Sequence, residues 1–175
     1  MMSLAEALAG KEIPEDIKKD LRLVSIPYVS FDGNVSEGRL VVHSELAMEV
    51  QELFKKLFES RFPIHSIIPI AEYNWDDDAS MAANNSSAFN YRLIAGTDRL
   101  SNHSFGRAID INPVQNPYCR RDGPVMPHGA QYDVTEPGTI TNEIAALFKS
   151  RGWKWGGDWE SLKDWQHFEK PESKT

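Results

Sequence analysis

The chain has 175 residues, 41% hydrophobic and 26% charged, with five Trp, eight Phe and five Tyr. This composition excludes a disordered chain, and the length suits one domain, 1–175, burying roughly two thirds of its unfolded surface. A net charge of -7 gives no basic face for non-specific nucleic-acid binding, and a single cysteine, Cys119, excludes an internal disulfide and a multi-Cys zinc site. Any metal must therefore be held by His and carboxylates.

The opening "MMSLAEALAGKEI" lacks a basic region followed by an apolar run, and no stretch approaches the roughly 20 apolar residues of a membrane span. The chain as given reads as soluble, and export stays open because a leader can be removed. Residues 21–43, "LRLVSIPYVSFDGNVSEGRLVVH", hold two apolar runs around Asp32-Gly33 and Gly38, predicting two strands and a turn, with Pro27 at an edge or bulge. From Ser44, a plausible N-cap, Leu46, Val50, Leu53, Leu57 and Phe58 recur at helical spacing until the Pro63 neighbourhood. "IHSIIPI" then reads as a strand, residues 72–87 as a long polar loop, and "AFNYRLI", 88–94, as another strand.

After "AIDI", five prolines between 113 and 138 predict an irregular segment wrapping the surface beside a site. Thr141 caps a last helix over "NEIAALFKSRG", with Ile144, Leu147 and Phe148 as its apolar stripe and Gly152 at its end. The tail to Glu169 reads as strand, loop and strand. With no repeat or linker, the expected class is α+β, helices packed against a mainly antiparallel sheet.

Chemistry concentrates in two stretches. In "SNHSFGRAIDIN", residues 101–112, strand alternation puts Ile109 and Ile111 on one face and Ala108 and Asp110 on the other, away from the apolar core. His103 sits just upstream in a loop that Gly106 relaxes, within reach of Asp110. Taken alone, the stretch fits a capping aspartate and a surface histidine at least as well. In "DWQHFE", Trp165, His167 and Glu169 share a face if the segment is extended, and Asp164 lies three positions before His167.

Catalytic zinc takes three protein ligands and keeps one open position, and His103, Asp110 and His167 supply three. A carboxylate that does not ligate must take the water proton. Asp164 fits that role better than Glu169. Arg92 is a strand-borne candidate for stabilising an oxyanion, although without the other residues a surface arginine paired with an acid is the better explanation. His43 and His65 sit in apolar strand runs and read as structural. His128, in the proline-rich segment, is a minor candidate for a substrate contact. Trp153, Trp155, Trp159 and Trp165 read as core and cleft wall. Asp76 to Asp78 lack an EF-hand's glycine and distal glutamate, and read as solvated or helix-capping.

Together, "SNHSFGRAIDIN", "WGGDW" and "DWQHFE" resemble the zinc peptidases of the D-Ala-D-Ala carboxypeptidase and L-alanyl-D-glutamate endopeptidase family, which includes bacterial carboxypeptidases and phage endolysins. The pattern Ser-x-His, Gly three residues on, then Ala-x-Asp is met by Ser101, His103, Gly106, Ala108 and Asp110. The resemblance runs from about Leu23 to Glu169, with "SMAANNSSAFNYR" also typical of the subgroup.

The resemblance implies a Hedgehog/DD-peptidase-like fold and Zn2+ on His103, Asp110 and His167. It also implies Asp164 as general base, Arg92 as transition-state arginine, and Ser101 at the substrate. Arg107 either meets a stem-peptide carboxylate or lies in solvent. The implied substrate is a peptidoglycan stem peptide. Asp164 stands where dipeptidase and some carboxypeptidase members have Glu, which tilts specificity toward the L-alanyl-D-glutamate bond. D-Ala-D-Ala carboxypeptidase activity is the enzymatic alternative, and a non-catalytic zinc-containing wall-binding domain the other. The expected form is a monomer acting at the cell wall, in the periplasm or outside the cell if a leader is removed, or held in the cytoplasm until lysis if phage-derived.

Overall fold

Why the elements form is clearest at the first hairpin. The computed structural model describes residues 2–120 and 122–172, so Met1, Arg121 and the last three residues of the expected domain lie outside the described residues. Two short helices, α1 (Leu4–Ala7) and α2 (Glu15–Lys18), precede β1 (Leu21–Val29) and β2 (Val35–His43), which pair antiparallel through their whole length. Asp32 holds the connecting turn by accepting from the Asn34 amide and from the Ser30 hydroxyl. Pro27 lies in a two-stranded sheet, compatible with its missing donor.

A 3-10 turn, Ser44–Leu46, leads into α3 (Ala47–Glu59). The first cap comes from His43, whose Nδ1 accepts from the Glu45 amide at 3.3 Å, and not from Ser44. α3 buries Val50, Leu53, Phe54 and Leu57 in the main core beside Ile26, Leu40 and Val42. A second apolar cluster, including Ala7, Leu21, Val41 and Phe89, ties α1 to the hairpin.

The middle of the chain departs from expectation. "IHSIIPI" yields only β3 (Ser66–Ile67), parallel to β4 (Asn85–Ser86). The expected loop 72–87 holds α4 (Asp77–Ala82), capped by the Asp76 side chain on the Ala79 amide. "AFNYRLI" forms no strand, only an isolated antiparallel bridge from Leu93 to Leu100. Its backbone donors go to separate partners, Phe89 to the Val41 carbonyl and Asn90 to the His103 carbonyl.

β5 (Ala108–Asp110) pairs antiparallel with β10 (His167–Glu169), which pairs in turn with β8 (Lys154–Trp155). The proline-rich segment is more regular than expected. It contributes β6 (Tyr118–Arg120) and β7 (Val125–Met126), which join β9 (Leu162–Asp164) in a second three-stranded sheet.

Two fully buried asparagines anchor this segment. Asn112 donates to the Pro63 and Gly138 carbonyls and accepts from the His65 amide, while Asn116 accepts from the Ile140 amide at 2.7 Å. α5 (Asn142–Lys149) starts at the Thr141 cap and ends before Gly152, as its sequence signals predict.

The class is α+β, with one correction: among the described residues the expected single sheet is four small ones, all antiparallel except β3 with β4. No described helix is long and apolar enough to cross a membrane.

Phe168 joins core to site. It is fully buried, stacks on Phe148 at 4.0 Å, and stands between His167 and Glu169. Phe168→Ala is expected to cost about 3–5 kcal/mol of unfolding free energy, read as a lower denaturation midpoint. A midpoint within error of the parent would show that this stack does not hold the strand.

Candidate metal centre and cleft

The β5–β10 register sets Asp110 directly opposite His167. Ile109 and Ile111 are fully buried on the other face, so alternation aims Asp110 away from the core. His103 arrives from a 3-10 turn, Asn102–Phe105, which Ser101 caps by accepting from the His103 amide at 3.3 Å. Gly106 ends the turn at φ 66°, and a Cβ there would stand 2.5 Å from the His43 nitrogen. Only glycine supplies both the left-handed backbone and this close approach.

These elements bring His103 Nε2 within 3.1 Å of His167 Nδ1 and 3.2 Å of Asp110 Oδ2, and His167 Nδ1 within 3.0 Å of Asp110 Oδ1. All three residues are buried. The outer nitrogens are committed elsewhere. His103 Nδ1 faces the Ala88 carbonyl, and His167 Nε2 faces Glu169 Oε2 at 3.2 Å, with Asn102 donating to the same carboxylate oxygen at 2.8 Å. A carbonyl and a carboxylate only accept, so each neutral ring carries its proton outward and turns a lone pair inward.

Three such groups about 3 Å apart in a buried site are reconciled either by a proton shared among them or by a cation between them. Burial opposes charge on His167, yet its hydrogen bonds to Asp110 and Glu169 and the charges of Asp110 and Asp164 push its pKa up to about 10. Burial likewise opposes ionisation of Asp110, but His103 and His167 outweigh it and hold that carboxyl below its usual range. A tetrahedral ion with bonds of about 2.0–2.1 Å to nitrogen and oxygen separates its ligands by about 3.3 Å, close to the observed spacings. Donor set, spacing and outer hydrogen bonds therefore fit a metal such as zinc, and these three residues form a group able to hold one.

The group lies in a cleft of about 440 Å³ that also contains Asp164, Arg92, Ser101 and Gln166. Asp164 is half-buried, and its Oδ1, which is fully buried, has no hydrogen-bond partner among the described residues. Burial, helped by the charges of Asp110 and Asp77 and opposed by His167 and Arg92, lifts its pKa to about 7. Gly156 packs against it so closely that a Cβ would lie 2.4 Å from the Asp164 carbonyl oxygen. A Cβ on Gly157 would meet the Trp155 ring, also at 2.4 Å. Trp159 tilts against His167 at 5.3 Å and lines the cleft. Trp153 and Trp155 are core, and Trp165 stacks on Tyr132 at 3.7 Å.

Arg92 reaches the cleft because its backbone is tied to the ligand turn, its amide donating to Ser104 Oγ at 2.9 Å. Its guanidinium meets Asp77 Oδ2 at 3.1 Å, and Asn90 donates to the other Asp77 oxygen at 3.2 Å. Asp77, expected as a solvated or capping acid, is therefore the residue that holds the arginine.

Arg107 does not line this cleft. It is nearly buried, paired with Glu45 at 2.5 Å and set against His43, where it lines a separate cavity of about 330 Å³. The structure therefore pairs it with a carboxylate and places it outside the lining of the cleft that holds His103, Asp110 and His167. His43 caps the turn before α3, His65 packs near Phe31, and His128 is exposed outside the cleft lining. Sequence reasoning missed Asp77, Asn102 and Gln166. The polar residue just before His167 was the available signal for the last of these.

A family model described as D-alanyl-D-alanine carboxypeptidase matches residues 95–170. The peptidoglycan L-alanyl-D-glutamate endopeptidase CwlK of Bacillus subtilis (strain 168) is 34% identical over 70 residues, which cover 39% of this chain and 38% of that protein. No solved structure matches the chain. The resemblance carried by the motifs is borne out over residues 95–170: the segment holding His103, Asp110, Asp164 and His167 is similar to the D-alanyl-D-alanine carboxypeptidase and L-alanyl-D-glutamate endopeptidase family.

Proposed function

We propose that this protein is a zinc metallopeptidase that cleaves peptidoglycan stem peptides at the L-alanyl-D-glutamate bond. The observation that carries the reading is the buried His103–Asp110–His167 triangle sharing one cleft with an acid lifted to about pH 7. In this reading residues 1–175 form one monomeric domain, with a Hedgehog/DD-peptidase-like core at about 23–169, acting on the cell wall. A leader would place it in the periplasm or outside the cell, and a phage origin would hold it in the cytoplasm until lysis.

His103, Asp110 and His167 hold the zinc, which when bound supplies the Lewis acidity that polarises a peptide carbonyl and acidifies water. Asp164 takes a proton from the attacking water and returns it to the leaving amine, a role suited to a carboxyl whose pKa lies near the working pH. Arg92, steadied by Asp77, stabilises the oxyanion of the tetrahedral intermediate. Ser101 lines the substrate side and keeps the His103 turn in place. Glu169 is engaged by His167 and Asn102, which favours Asp164 over it as the base.

The family model's description supports a second reading, D-Ala-D-Ala carboxypeptidase activity with the same residues. The relative with endopeptidase in its name and the aspartate at position 164 favour the first. Mass spectrometry of purified muropeptides after incubation decides between them. Release of the peptide beyond L-Ala marks the endopeptidase, and loss of one alanine marks the carboxypeptidase. Zinc content with no cleavage but retained wall binding would instead indicate a binding domain.

Asp164→Ala is expected to keep its zinc and lose turnover by about 10²–10⁴-fold, whereas His103→Ala and His167→Ala lose the metal. Elemental analysis beside a muropeptide assay measures both, and normal turnover in Asp164→Ala would transfer the base role elsewhere. The sign of the pH dependence follows from the base being active only when ionised. Turnover therefore rises with pH through a limb at or below about 7, since a bound cation opposes the upward shift of the Asp164 pKa. A profile flat across that limb would remove Asp164 from the rate-limiting proton transfer.

A further inference from the structure

Gln166 is 2% exposed, lines the cleft, and has no hydrogen-bond partner at either Oε1 or Nε2 among the described residues. Buried carboxamides are ordinarily paired at both ends, and one left open on both is costly. The backbone around it is held from several sides. The Trp165 amide donates to the Pro117 carbonyl at 3.2 Å, Trp155 Nε1 donates to the Trp165 carbonyl at 2.9 Å, and the Ile111 amide donates to the Gln166 carbonyl at 3.1 Å. Tyr132 covers the Trp165 ring. The turn between β9 and β10 is thus fixed by contacts that do not involve the carboxamide, which stands between Asp164 and His167 in the chain.

A primary amide offers one acceptor and a donor in one plane, the complement of a peptide group's N–H and C=O. We propose that Gln166 is a substrate-binding residue that pairs its carboxamide with the main-chain peptide group flanking the scissile bond. It aligns the extended substrate past Asp164 and the metal ligands. This inference rests on the peptidase reading of the cleft. It also accounts for an uncharged residue in a wall of acids: a carboxylate at 166 would repel Asp164 and could only accept.

The test uses a synthetic stem peptide and a set of analogues N-methylated at one amide each, with Gln166→Leu and Gln166→Met as variants. Thermal melting and zinc content establish that each variant is folded. Both variants are expected to raise KM by about 10- to 100-fold, as for the loss of two neutral hydrogen bonds, with kcat falling several-fold less. One N-methyl analogue should weaken the parent protein but not the variants.

Calorimetric binding of the same peptides to Asp164→Ala, with and without Gln166→Leu, reads the contact without turnover. A parent protein that cleaves no peptide therefore sinks the proposed function, while Gln166-dependent binding still upholds this inference. Unchanged KM and binding in both variants would overturn it. A shifted acidic limb at constant KM would also overturn it, assigning Gln166 to Asp164 instead of the substrate.

Discussion

Three lone pairs facing one another in a buried space are the constraint on which this structure turns. His103 and His167 each commit one ring nitrogen to an acceptor that cannot donate, so their other nitrogens converge with the Asp110 carboxylate. Such a convergence is unfavourable in any folded chain unless a proton or a metal cation enters it. The fold supplies the opposing rigidity. Two ligands are cross-strand neighbours in one register, and the third is delivered by a capped turn that glycine allows to approach the first hairpin.

The charges around this centre are graded. Asp110 is held ionised by the histidines, Glu169 is lowered by its hydrogen bond from His167, and Asp164 alone is lifted toward neutrality by burial. Three carboxyls in one small volume thus divide into a ligand, an orienting partner and a group free to exchange a proton. Neighbours set the division, since side-chain chemistry is nearly the same in all three. Asp77 adds a fourth variation, an acid whose task is to aim Arg92.

Local patterns carried local information and no more. Alternation in "AIDI" correctly aimed Asp110, and the apolar spacing after Ser44 and around "NEIAALFKS" gave helices in the right places. The meeting of Asp110 with His167 was legible only because ligand chemistry demands a third partner; nothing along the 57-residue separation encodes the pairing visibly. Sheet division was not legible. "AFNYRLI" has strand composition but spends its hydrogen bonds on separate partners, and the prolines of 113–138 conceal strands held by Asn112 and Asn116. Arg107 shows the same limit: its charge was visible, its Glu45 partner 62 positions away was not.

Gly156 and Gly157 bear no functional group, yet each leaves no room for even a methyl, one beneath Asp164 and the other beside Trp155. The tolerance of this cleft to sequence drift is accordingly set by distance between backbones as much as by reactivity. Variation that preserves every proton-bearing side chain can still abolish the arrangement by adding a single carbon where none reacts. In a family of such chains, the silent positions of "WGGDW" would be as restricted as the ligands they support.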